Sequence, residues 1–321
     1  MVSAKIMPDF PQPIGQTVAM ELLDAAIARQ RIAPAYLFAG PEGVGRSMAA
    51  RYFARLLLTF DRPDERDKQL ENHPDLLWVE PTYLHDGQRF TPREAEEKGL
   101  KRRGSPQIRL EQVRDIGKFL SRPPLEASRS VVVLEGAQTM GEGAANGLLK
   151  TLEEPGRATL ILMAPSTESL LPTLVSRCQR IPFYRLSPAA MAQVLQQTGY
   201  EAILSNSPVL AAAQGCPGEA IAAWKQLENI PPELLERLQG LPRSLREALE
   251  LAQQIDKTLD TADQLWLLNY LQHSYWQQFI DRHLPVSPLQ PLENARRYLR
   301  AYAQPKLVWE VTLMALTQIG R

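Results

Sequence analysis

Phosphate binding is the first chemistry legible in the chain. Gly40-Pro41-Glu42-Gly43-Val44-Gly45-Arg46-Ser47 lies between the apolar run Tyr36-Leu37-Phe38-Ala39 and a helical pattern from Ser47 to Leu58. That is the strand–turn–helix setting a phosphate-binding loop requires. Glycines at 40, 43 and 45 let backbone N–H groups curl around an anion, and the helix that follows aims its positive end at it. Arg46 occupies the position that normally carries lysine. A guanidinium binds phosphate through a planar fork and does not replace a compact ammonium like for like. Ser47 keeps a hydroxyl suited to Mg²⁺. The carboxylate half departs further. Val131-Val132-Val133-Leu134 ends in Glu135-Gly136, where a nucleotide hydrolase carries an aspartate for the metal and often a glutamate to orient water. Gly136 has no side chain to polarise water, so two of the parts used in phosphoryl transfer are missing. These residues predict a site that does not hydrolyse nucleotide. They leave the binding of ATP or ADP open, and a plain glycine-rich strand–helix turn is the alternative.

The loop needs a frame, and the apolar pattern supplies one. Gln16 to Arg31 reads as an amphipathic helix with Val18, Leu22 and Ala25 or Ala26 at helical spacing. Strands are expected at Tyr36–Ala39, Leu76–Val79, Val131–Leu134 and Leu160–Ala164, each short and apolar, as for parallel strands covered on both faces. The first half is therefore an α/β fold with a parallel sheet, running to about Phe183. Asp61 to Ser105 reads as an irregular polar tract interrupted only by Leu76–Val79. Residues 89–129 hold 11 Lys/Arg against 6 Asp/Glu, densest at Arg102 and Arg103. Such a run is ordinarily a solvated face, with a phosphate-contacting patch as the alternative.

No strand is expected after Phe183. Ser187–Leu227 reads as a small helical unit broken at Gly199 and at Gly215 to Gly218, and Pro231-Pro232 as a linker. Helices follow at Ser244–Leu259, Ala262–His283, Glu293–Ala301 and Lys306–Ile319. Trp266, Trp276 and Trp309 fall in this last zone, where aromatics at helical spacing read first as core and otherwise as oligomer contacts.

Composition narrows the classes. The chain has 321 residues, 44% hydrophobic and 22% charged, ordinary values for globular domains and enough length for two or three. Lys+Arg and Asp+Glu number 36 each, so the net charge is zero. That argues against wrapping nucleic acid unaided, because phosphate affinity comes mainly from excess Lys and Arg. Two cysteines, Cys178 and Cys216, exclude a disulfide framework and a four-thiolate zinc site. No segment reads as a signal peptide or membrane span, and the expected location is the cytoplasm.

Several stretches together resemble one family. They are Pro34 to Gly45, Asn72-His73-Pro74-Asp75-Leu76, Ile108-Arg109-Leu110-Glu111-Gln112-Val113-Arg114, the NGLLKTLEEP run from Asn146 to Pro155, and Leu171 to Gln179 with Ser176-Arg177-Cys178. In this order, over about residues 14–183, they resemble the delta-prime subunits of bacterial DNA polymerase III clamp loaders, members of the AAA+ superfamily. The resemblance implies a AAA+ P-loop domain at 1–185, a small helical lid at 186–229 and an all-α collar at 230–321. It also implies that Arg177 acts as an arginine finger in trans, presented to ATP on an adjacent subunit. Glu153 and Glu154, which core packing does not explain, are expected at a subunit boundary. Expected partners are ATPase subunits of the tau/gamma type and a delta-type subunit, with the sliding clamp and primed DNA reached through the complex, and no membrane.

Two departures from the family bear on cofactors. Many relatives carry four cysteines after the P-loop helix, whereas Asp61 to Gln69 contains none. No metal site and no zinc are expected, and His73 and His85 read as ordinary surface residues. Active AAA+ subunits often place an arginine in the lid where Gly215-Cys216-Pro217-Gly218-Glu219 puts an acid, which would repel a γ-phosphate. The resemblance thus implies a non-hydrolysing clamp-loader subunit that requires no cofactor of its own. The alternatives are an active loader ATPase of tau/gamma type and, behind it, a P-loop nucleotide kinase.

Overall fold

The short apolar runs assemble into one sheet. A computed structural model describes residues 12–61, 70, 72–100, 104–282 and 287–319, and the chain divides into two compact units, Met1–Ala190 and Met191–Arg321. The strands are β1 (Ala35–Ala39), β2 (Leu76–Val79), β3 (Tyr83–His85), β4 (Gln88–Phe90), β5 (Ser130–Leu134), β6 (Ala158–Ala164) and β7 (Gln179–Pro182). Five of them form a parallel sheet in the order β2-β5-β6-β1-β7, while β3 and β4 pair as a separate hairpin. The helices of this unit are α1 (Thr17–Ala28), α2 (Arg46–Leu58), α3 (Pro92–Glu97), α4 (Leu110–Leu120), α5 (Glu142–Glu153) and α6 (Pro172–Val175). The parallel α/β fold expected from the sequence is present.

Burial on both faces explains why the strands lack polar alternation. Leu37, Val132, Leu134, Leu160 and Leu162 join Ile116 of α4 and Leu148 of α5 in one cluster. The alternate residues Tyr36 and Phe38 turn to α2, where their rings lie 4.9 and 6.4 Å from that of Phe53. In α5 the expected leucine face forms, with Leu148 and Leu152 buried and Leu149 packed at the margin. The helix stops at Glu153 because Pro155 forces Glu154 out of helical geometry, to φ −129° and ψ 65°.

In α1 the buried face is Ala19, Met20, Leu23 and Ile27, whereas Val18 and Leu22, expected on the apolar face, are exposed. Beyond that helix, the structure corrects the sequence reading in two places. The tract from Asp61 to Ser105 is not irregular throughout. It contains the β3–β4 hairpin and α3, which opens with a capping box between Thr91 and Glu94. The hairpin turn is Asp86-Gly87, both at positive φ (49° and 78°), the mirror-image turn that fits strand twist. The second correction is β7, for which no strand was expected. It pairs only with β1, so Gln179 and Arg180 stay exposed and only Ile181 is buried, and Pro182 is tolerated at the sheet edge.

The second unit is helical. After α7 (Pro188–Gln197), which spans the division, come α8 (Ser207–Ala213), α9 (Pro217–Glu228), α10 (Pro232–Arg237), α11 (Leu245–Thr258), α12 (Thr261–Arg282), α13 (Leu289–Arg300) and α14 (Pro305–Ile319). Met191, Leu195, Ile203, Val209 and Ala220 form one buried cluster, and residues of α10 to α14 form another around Trp309. Trp309 is fully buried and its indole N–H donates to Gln264 Oε1 at 2.9 Å. Trp266 stacks on Tyr270, whereas Trp276 is 39% exposed. Pro231-Pro232 opens α10, whose Leu234 is buried. No helix among the described residues is long and apolar enough to cross a membrane.

Candidate functional site

Gly40 to Ser47 follow the carboxyl end of β1 and turn into α2, the edge of a parallel sheet where ligands bind. Two of the glycines have a local reason. Gly40 passes so close to the chain after β7 that a Cβ there would lie 2.4 Å from the Phe183 carbonyl oxygen. Gly45 sits at φ 103° and its carbonyl accepts from Ala49 N–H, starting α2. Gln16, which is 2% exposed, holds the loop from below. Its side-chain amide donates to the carbonyls of Val44 (3.1 Å) and Tyr184 (2.7 Å), and its Oε1 accepts from Tyr184 N–H. Arg46 is the first residue of α2 and is half-buried.

Ser47 and Glu135 meet. Ser47 Oγ donates to Glu135 Oε1 at 2.8 Å, and Trp78 Nε1 donates to Glu135 Oε2 at 3.1 Å. Both carboxylate oxygens are thus engaged within the chain. The Arg51 guanidinium lies 4.6 Å over the Trp78 ring. Glu80, just past β2, has its carboxyl held above the ordinary range by burial and by the nearby Glu135 charge. Gly136 lies in the left-handed region (φ 65°, ψ 40°), and a Cβ there would come within 2.8 Å of Pro81 Cγ. The backbone itself therefore excludes a side chain where a water-orienting acid would stand. The residues present fit a phosphate cradle in their backbone and do not fit the acid that orients water.

Arg177 occupies the opposite edge of the sheet. It lies between α6 and the start of β7, whereas the phosphate loop follows the end of β1. Those two strands are parallel neighbours with Tyr36 opposite Gln179 and Ala39 opposite Pro182. At a rise of about 3.3 Å per residue, the paired stretch alone sets the two edges about 10 Å apart. Arg177 is 37% exposed. Its Nη2 donates to Glu153 Oε1 at 2.8 Å and its Nη1 to the Thr173 carbonyl at 3.0 Å. Next to it, burial pushes the Cys178 thiol up to about 11.

Other motif residues turn out to hold the frame. Asp75 is 2% exposed and accepts the backbone N–H groups of Leu125, Glu126 and Ala127 at 2.7 to 2.8 Å. Burial opposes its ionisation, but those three donors outweigh it and keep the carboxyl below its ordinary range. Gln112 donates to the Glu80 carbonyl and accepts from Thr82 Oγ1. His73 Nδ1 accepts from Asp75 N–H, and His85 pairs with Asp86. Glu219 is exposed in the first turn of α9. Within the basic tract, Arg89 and Lys118 pair with Asp115, Arg93 pairs with Glu97, and Arg129 donates to Thr159. Arg102 and Arg103 lie outside the described residues, as does 62–69. The sequence reading missed Gln16, Trp78 and the anchoring role of Asp75. An aspartate at the start of an apolar strand, in Pro74-Asp75-Leu76, was the one visible signal.

Comparison with known proteins gives the same picture over both units. A family model described as DNA polymerase III, delta subunit, matches residues 15–187. A second, described as cyanobacterial DNA polymerase III delta prime, C-terminal domain, matches residues 189–316. The chain is 31% identical over 185 residues to the DNA polymerase III subunit delta' of Bacillus subtilis, a match covering 55% of this chain and 50% of that one. It is 36% identical over 161 residues to the subunit delta' of Pseudomonas aeruginosa, covering 47% and 43%. The chain thus spans about half the length of the curated relatives it matches. Among solved structures, a DNA polymerase III gamma subunit-related protein of Thermotoga maritima has the same fold, with a TM-score of 0.54 at 18% identity over 95% of this chain and 100% of that one.

Proposed function

The chain belongs to the delta-prime family of DNA polymerase III subunits, and on that premise we propose that it serves a clamp loader without hydrolysing ATP itself, lending Arg177 to ATP on an adjacent tau/gamma-type subunit. The placement of Arg177 carries this reading. It stands at the amino edge of the sheet, with the chain's own phosphate loop at the carboxyl edge, so a guanidinium there serves a neighbour and not its own loop. Directed at a γ-phosphate, it stabilises the charge that develops as the bond to the leaving group breaks, an effect of roughly 10³–10⁵ in rate for such fingers. The chain's own loop supports the passive half of the reading. Glu135 is held by Ser47 and Trp78, and Gly136 has no room for an acid. A delta-type subunit completes the assembly, which opens the sliding clamp and places it on primed DNA.

Reconstitution with the ATPase subunits tests the reading. Arg177→Ala should lower the DNA-stimulated ATPase of the complex while assembly stays intact, and an unchanged rate overturns the finger. The isolated chain should show no ATPase above background. Turnover abolished by Ser47→Ala would favour instead an active tau/gamma-type ATPase, the reading to which the retained Ser47–Glu135 pair lends itself.

A further inference from the structure

We infer that Glu153 is the positioning residue for Arg177, an inference that rests on the trans-acting reading of that arginine. Two separate helices fix the guanidinium. Glu153 is the last residue of α5 and receives Nη2 at 2.8 Å; Thr173 lies in α6 and its carbonyl receives Nη1 at 3.0 Å. Both helices are rigid supports, since Leu148 and Leu152 of α5 and Leu174 and Val175 of α6 are buried in the same cluster. A guanidinium carries five N–H donors in a fixed plane. The two anchors take one from each terminal nitrogen, which leaves Nε–H and one donor on each of those nitrogens for an incoming phosphate.

The pair is half exposed, Arg177 at 37% and Glu153 at 52%, and an ion pair of that kind adds little to folding. Its consequence is pre-organisation. A free arginine side chain samples many rotamers, and each must be given up when the guanidinium meets a transferring phosphoryl group. Glu153 and Thr173 make that selection in advance. It also accounts for an acidic side chain at the end of α5, beyond what the core requires.

The loader reconstituted with native chain, Glu153→Ala, Glu153→Gln, Arg177→Ala and the Glu153→Ala/Arg177→Ala double variant tests the inference, with assembly checked by size exclusion. Glu153→Ala should lower kcat of the DNA-stimulated ATPase by about 3- to 10-fold, the range that fixing one long side chain supplies, with KM for ATP unchanged. Glu153→Gln keeps an oxygen acceptor and should recover most of the loss. In the Arg177→Ala background, Glu153→Ala should have no further effect. A Glu153→Ala rate equal to or above native beside a depressed Arg177→Ala rate overturns the inference alone. So does a further fall in the double variant, which would mean that Glu153 acts without Arg177. An Arg177→Ala rate equal to native removes the trans-acting reading, and the inference with it.

Discussion

Gly136 stands where an acid is missing, and the backbone there predicts what happens when any side chain is added. Its φ of 65° and ψ of 40° lie in the left-handed region, which costs an L-residue about 1–2 kcal/mol. A new Cβ would also lie 2.8 Å from Pro81 Cγ, and relieving such an overlap in packed surroundings costs about 1–3 kcal/mol. Gly136→Ala should therefore destabilise the α/β unit by about 2–5 kcal/mol. Gly156 separates the two contributions, because it has a similar φ of 60° but nothing within 4 Å of its Cβ position. Gly156→Ala should cost only the conformational part, about 1–2 kcal/mol. Hydrogen exchange at the Val132 and Val133 amides, in the middle of β5, reads the opening free energy of this unit. The excess loss in Gly136→Ala should shrink when Pro81→Ala is added. Equal losses at the two glycines, or no recovery on removing Pro81, would refute the steric argument. The same strain attends Gly136→Glu, so restoring the acid by one substitution should yield no ATPase.

Three further outcomes follow from the site. Burial raises the Cys178 thiol from its ordinary 9.0 to about 11, so at pH 8 about one molecule in 1000 carries a thiolate; iodoacetamide labelling, mapped by mass spectrometry, should run roughly 100-fold slower in the folded chain than in urea, and comparable rates would contradict the burial. Asp75 has a folded pKa below its unfolded value of about 3.9, so its contribution is present above that value and lost as pH falls through the lower folded one; Asp75→Asn should cost about 2–4 kcal/mol at pH 7 and flatten the acid limb of the stability curve, and an unchanged limb would falsify the anchor. Because Glu135 already accepts from Ser47 and Trp78, any affinity of the isolated chain for ADP should be the same in Mg²⁺ as in EDTA. A calorimetric titration that depends on Mg²⁺ would show that Glu135 leaves Ser47 readily.

How much of this was legible depended on whether a residue's role was local. The phosphate loop, the leucine face of α5 and four of the five sheet strands follow from period, glycine placement and Pro155, all of which act over a few residues. The β3–β4 hairpin was legible too, since Asp86-Gly87 is a strong turn signal, but three-residue strands give almost no alternation to flank it. β7 was not legible, because an edge strand needs only one buried residue, Ile181, and draws its hydrogen bonds from β1. The same holds for the side chains that organise the site. Trp78 reaches Glu135 across 57 positions, Asp75 holds a loop 50 positions away, and Gln16 reaches Val44 across 28 and Tyr184 across 168. No spacing rule connects such pairs. Glu153 is intermediate: its exclusion from the core was visible, and its partner 24 positions away was not.

If the proposed function holds, the sheet lets one chain keep half of a phosphoryl-transfer machine. The residues read as a nucleotide cradle sit at the carboxyl edge, on turns after β1, β2 and β5, where Glu135 accepts from Ser47 and Trp78 and Gln16 donates to Val44 and Tyr184. Arg177, Glu153 and Thr173 sit at the amino edge, on the ends of α5 and α6, and their positions depend on the leucines of those helices. Between the two edges run β5 and β6, buried along their whole length, and β1, buried but for Ala39. On the proposed reading, a non-hydrolysing loop and a trans-acting arginine occupy opposite edges of one sheet. The setting of Arg177 depends on the core under α5 and α6: Leu152→Ala should lower the DNA-stimulated ATPase of the reconstituted complex more than Gly43→Ala or Arg46→Ala, and equal effects would refute that dependence.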